Sequence, residues 1–100
     1  MSFSRLQTEH LRLTILALLK EIPGYELNEK VLGWGTHEQG YPASQDALRV
    51  QFHWLSEQGL VTITHVAGIL QVVKLTRRGL DVASGLALVP GVARPEPEDA

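Results

Sequence analysis

The sequence predicts one mainly α-helical domain carrying a single β-hairpin, and three observations predict it. One hundred residues are enough for one small core. Three stretches with helical apolar spacing come first, each closed by glycine or proline. Two β-branched runs separated by Ala67-Gly68 follow, and a short helical stretch ends the pattern.

The first helix is expected from about Ser4, as N-cap, to Glu21, with Pro23-Gly24 stopping it. Leu11, Ile15, Leu18 and Ile22, with Leu19 beside them, form one apolar stripe. Leu6, Leu13, Leu16 and Ala17 form another. That second stripe reads either as a second buried side within the monomer or as a dimer contact. The second helix starts at the N-cap Asn28 and reaches about Gln39. Gly33 and Gly35 each weaken it by about 1 kcal/mol relative to alanine. They are expected to permit close packing. Gly33-Trp34-Gly35 lacks the preceding strand and the spacing of a phosphate-binding loop.

Gly40-Tyr41-Pro42 breaks the chain before a third helix, capped by Ser44 and carrying Asp46 in its first turn. It continues to Gln58 and closes at Gly59 with Leu60 behind it. Leu48, Phe52 and Leu55 form its core face. Gln45, Asp46, Arg49, His53 and Ser56 share the opposite one. The strands Leu60–Val66 and Ile69–Leu75 follow. Pairing Val66 with Ile69 puts Val61, Ile63, Leu70 and Val72 on one face, which His65 and Lys74 interrupt near its ends. A fourth helix runs from the cap Thr76 to Ser84, with Leu75, Leu80, Val82 and Ala83 packing back. The expected division is a folded domain over 1–88 and a flexible, proline-rich acidic tail over 89–100.

The apolar fraction of 44% and charged fraction of 20% exclude a disordered, collagen-like or rod-like chain. The longest apolar run, Ile15–Leu19, ends at Lys20, short of the ~20 residues a membrane helix needs. The first ten residues lack the order of a signal peptide. Without cysteine there are no disulfides or thiolate metal sites. Of nine basic and eleven acidic residues, Arg94, Glu96, Glu98 and Asp99 lie in the last seven positions. Residues 1–93 therefore hold eight of each sign, which argues against strong sequence-independent phosphate binding.

Helix, helix, helix, hairpin, helix is the order of a winged helix-turn-helix. Leu55-Ser-Glu-Gln-Gly-Leu-Val61 resembles the end of a recognition helix entering the first wing strand. Leu75-Thr-Arg-Arg-Gly-Leu-Asp-Val-Ala83 resembles the wing's exit into a final helix in winged-helix transcriptional regulators. The segments Pro23-Gly-Tyr…Asn28, Ser44-Gln-Asp…Trp54–Val61 and Gly79–Ala83…Val89–Pro95 resemble a family of small proteins from Mu-like prophages, over roughly residues 11 to 95. That resemblance implies a phage or prophage setting. Similar proteins often carry arginine after the capping serine, where this chain has Gln45. The change removes a phosphate or guanine contact.

These readings lead to a homodimer that binds double-stranded DNA, regulates phage or prophage genes and resides in the cytoplasm of a bacterial host, with no membrane association. Ser44, Gln45, Arg49 and His53 would face the duplex, and glutamine and arginine suit adenine and guanine. Tyr41 would reach phosphate, and Lys74, Arg77 and Arg78 would add backbone contacts at the wing base. Leu6, Leu13, Leu16 and Ala17 would form the dimer contact. The alternative is a winged-helix protein-interaction or assembly module without DNA binding.

Catalysis and cofactors are not expected. His10, His37, His53 and His65 have no metal-ligand spacing on one helix. Ser44, Asp46 and His53 lie on one helix without the cleft a nucleophile needs. Glu26 and Glu29 read as a helix-start charge preference.

Overall fold

The computed structural model describes residues 2–96. Its first helix, α1 (Phe3–Lys20), begins two residues earlier than the sequence suggests. Ser2, not Ser4, caps it, accepting from the Arg5 N–H at 3.2 Å. Ile15, Leu16 and Leu19 are fully buried on one side of α1.

A short strand, β1 (Glu26–Asn28), follows the turn at Pro23-Gly24 and was not foreseen. Three residues, two of them polar, carry no readable alternation. Asn28 then caps α2 (Glu29–Glu38), accepting from the N–H groups of Lys30 and Val31. The expected close packing of α2 is present: a Cβ on Gly35 would lie 2.9 Å from a Leu18 methyl carbon. Trp34, between the two glycines, points outward.

The third helix, α3 (Gln45–Glu57), matches its expected frame. The Ser44 hydroxyl accepts from the Ala47 N–H at 3.1 Å, and Leu48, Phe52 and Leu55 are buried. Gly59, at φ +76°, ends the helix in the left-handed conformation that glycine tolerates best. The Leu60 N–H then returns to the Leu55 carbonyl at 3.0 Å.

The hairpin strands β2 (Val61–Val66) and β3 (Leu70–Leu75) pair antiparallel, with β1 on the far edge of β3. Val66 pairs with Leu70, not with Ile69, because the turn takes Ala67, Gly68 and Ile69. One added residue moves every β3 side chain to the other face. Val61, Ile63, Val73 and Leu75 therefore face the helices, and Leu70, Val72 and Lys74 face away. The observed register removes the conflict in the expected one, which would have set Lys74 on the core side opposite Val61.

Thr76 caps α4 (Arg77–Ala83) by accepting from the Gly79 N–H. The boundary expected at residue 89 is corrected: Val89 and Val92 join the hydrophobic core. The Ala93 N–H donates to the Glu9 carbonyl at 3.1 Å, and the Arg12 Nη1 donates to the Gly91 carbonyl at 2.9 Å. Buried valines decide this against the proline-rich composition. Residues 97–100 of the expected tail lie outside the described residues. Among the described residues, four helices thus pack on a three-stranded antiparallel sheet. No helix among the described residues is long and apolar enough to cross a membrane.

Candidate interaction surface

Asn28 starts α2 so that the next side chain, Glu29, turns inward between α2, α3 and β3. Glu29 is buried. It accepts from Arg49 Nε at 2.7 Å, Arg49 Nη2 at 2.7 Å, Gln45 Nε2 at 2.8 Å and the Gln71 N–H at 2.6 Å. Four donors fill the acceptor capacity of one carboxylate. Arg49 Nη2 also donates to the Ile69 carbonyl at 2.9 Å, tying α3 to the hairpin turn. The hydrogen bonds from Arg49 chiefly hold the Glu29 carboxyl down at about 2, with the Gln71 and Gln45 donors assisting against the opposing effect of burial. The same pairing raises the Arg49 guanidinium.

Two residues expected to read bases therefore serve the fold. Gln45 and Arg49 remain at the surface (the Arg49 side chain is 34% exposed), yet both have their donors on Glu29. His53 stands exposed, 3.6 Å from Glu57. Ser44 is occupied as a cap. Tyr41 is half-buried in the α2–α3 connection, its N–H on the Thr36 carbonyl at 2.8 Å.

The three remaining cations do not join this face. Lys74 sits on the sheet face turned away from the helices, paired in register with Glu26 and Thr62. Arg77 and Arg78 are exposed at the start of α4, with Arg77 3.7 Å from Asp81. The expected set of eight is thus divided among the α2–α3 connection, α3, the outer sheet face and α4.

The outward side of α3 presents Asp46, Val50, His53 and Glu57 at helical spacing. Val50 is 63% exposed, and the hairpin turn that Arg49 ties to α3 carries Ile69 at 76%. An open groove of about 260 Å³ lies beside it between α2 and α3, lined in part by Trp34, His37 and Leu48. Arg12 is consumed too: it stacks 3.8 Å from the Trp54 ring centroid and donates to Gln51 at 2.8 Å. Burial lowers its pKa.

The expected dimer stripe is split. Leu16 is fully buried in the core, which corrects its assignment, because α1 turns that side toward the other elements. Leu6 is exposed, while Leu13 and Ala17 are half-buried and line a groove with Thr14, Leu18, Glu21 and Gln39. Among the described residues, no group of three or more His, Cys, Asp or Glu is placed to hold a metal ion.

Sequence reasoning missed the role of Glu29. Its donors lie 16, 20 and 42 residues away, so no local spacing announces it. The exposed Val50 and Ile69 were legible as apolar residues, but the tie that Arg49 makes between α3 and the hairpin turn was not.

Comparison with known proteins places the chain. The protein named Uncharacterized protein gp26 of Escherichia phage Mu is 46% identical over 90 residues, covering 90% of this chain and 92% of that one. The chain belongs to the gp26 family. A second gp26 relative, from Haemophilus influenzae and named Uncharacterized protein, is 39% identical over 80 residues, covering 80% of this chain and 78% of that protein. No protein-family model matches the chain, and no solved structure matches it at a significant level. The gp26 relationship makes the chain phage-related and carries no activity with it.

Proposed function

We propose that this chain is a winged helix-turn-helix used as a protein-interaction or assembly module in a phage or prophage setting. In this reading α2 and α3 are the helix-turn-helix, and the β2–β3 hairpin is the wing. The order of elements and the β1-β3-β2 sheet support it. The observation that carries the function is the Glu29 hub. It takes up Arg49, the one cation of α3, and leaves Asp46, Val50, His53 and Glu57 facing outward. Phosphate binding needs clustered, available cations. An apolar centre flanked by polar and acidic groups suits a protein surface instead.

The second reading is a DNA-binding homodimeric regulator. It is favoured by one observation: the first turn of α3 is exposed at Ser44, Gln45 and Asp46, where helix N–H groups suit a phosphate. Selection from a random duplex pool at low and at physiological salt separates the two. The expected result is no enriched sequence at either salt. Enrichment of one sequence, abolished by Gln45→Ala, would replace the interaction reading with the DNA reading.

A further inference from the structure

The sequence places Phe3, Leu6, His10, Leu13 and Ala17 at alternating spacings of three and four on α1. That is the seam of two helices packed along their length. The stripe lies on the side of α1 away from buried Ile15 and Leu19. Its two ends differ in side-chain size, with Phe3 and Leu6 at one and Ala17 at the other. At the start, Phe3 is 74% exposed and Leu6 38%, and both border a groove of about 390 Å³ with His10, Gln39, Gly40 and Tyr41. Toward the far end, the small Ala17 lies in a groove of about 260 Å³ with Leu13, Leu18 and Gln39.

We infer that α1 packs antiparallel on α1 of a second copy of this chain, with Phe3 and Leu6 of each copy seated toward the groove around Ala17 of the other. The contact is isologous, as two-fold symmetry requires. Aligning the helices with Leu6 level with Ala17 of the second copy also sets His10 level with Leu13 and Phe3 level with Lys20. Leu6 then meets the small Ala17. A parallel pair would instead stack His10 on His10 and Ala17 on Ala17, leaving both grooves empty.

Charge supports the same direction. No Asp, Glu, Lys or Arg lies on the stripe from Phe3 to Ala17. The first turn of α1 has no acidic residue, while Glu21 lies exposed at its other end. Antiparallel packing brings Glu21 of each copy level with the N-cap of the other, where the helix dipole favours a carboxylate, with Lys20 one residue before it. Residues 1–93 are neutral, so net charge does not separate two copies. The seam from Phe3 to Ala17 is about 21 Å long. It belongs to the small end of specific interfaces, so the dimer is expected to dissociate in the micromolar range. The seam uses α1 alone and does not depend on the occupant of the α3 face.

The absence of native cysteine allows a direct test. Leu6→Cys, Ala17→Cys and the double variant are oxidised with diamide, and wild type is followed by sedimentation equilibrium. Positions 6 and 17 are about 16 Å apart on one helix, too far for an internal disulfide. The expected result is a wild-type dimer, efficient cross-linking of the double variant and little of either single one. The combined Phe3→Glu and Leu6→Glu variant should weaken the dimer at least tenfold while keeping its helical circular dichroism. Single variants that link to themselves as well as the double variant would overturn the antiparallel pairing. A wild type that stays monomeric at high micromolar concentration would overturn the interface itself.

Discussion

The Glu29 carboxylate and the Arg49 guanidinium, twenty residues apart in the chain, meet in a two-pronged ion pair with both contacts at 2.7 Å. The pair lies under the hairpin turn and joins the start of α2 to the middle of α3. It gives Arg49 a structural task on the helix that would otherwise be read as a ligand reader.

Glu29→Gln is expected to destabilise the protein by about 3 kcal/mol, since removing one partner leaves the remaining donors poorly matched. The carboxyl is depressed from its ordinary range to about 2 in the folded state. Its contribution is therefore fully present above about pH 4.5 and is lost as pH falls from there toward 2. Urea unfolding of wild type should show this acid loss, and Glu29→Gln should flatten it. Arg49→Ala should lower the melting temperature more than Arg77→Ala, whose exposed partner Asp81 is 3.7 Å away.

Truncation after Leu88 is expected to cost about 3–5 kcal/mol, from the buried side chains of Val89 and Val92. It also removes the Gly91 carbonyl from Arg12 and uncovers the Trp54 ring that a Cβ on Gly91 would strike. Denaturant melts measure the loss, and a red shift in tryptophan emission reports the uncovering. An unchanged midpoint would return residues 89–93 to the tail.

Gly79→Ala should run against helix propensity. Alanine favours a helix over glycine by about 1 kcal/mol. Here the new Cβ would overlap the Leu60 carbonyl oxygen and lie 2.7 Å from a Leu75 methyl carbon. The backbone oxygen has little room to yield, so a loss of about 1–3 kcal/mol is expected in thermal or urea unfolding. A stabilised variant would mean that α4 docks less tightly on the β2 entry than this contact requires.

Local chemistry made much of the fold legible. Asn28, Ser44 and Thr76 are caps because their side chains accept from N–H groups two or three residues on, and Gly59 and Gly85 close helices in the left-handed region. The Leu48, Phe52 and Leu55 face followed from a period of 3.6 residues. Ser2 and Ser4 are both acceptable caps by composition, and only the hydrogen bond to Arg5 separates them. The hairpin register turned on one residue: Ala67-Gly68 looks sufficient as a turn, but burial of Val73 and Leu75 demands Ile69 in it as well. The candidate site was less legible, since Gln45 and Arg49 look free on a helical projection that contains no Glu29.

The sequence by itself determined the caps that start α2, α3 and α4, which face of α3 is apolar and that a β-hairpin precedes the last helix. These depend on residues within a turn or two of each other. Tertiary structure decided that β1 completes the sheet, that Val89 and Val92 are core, that Leu16 is no surface residue and that Arg49 belongs to Glu29. Each of those depends on burying apolar area or satisfying a buried charge across distant stretches of chain, and no local pattern carries that information.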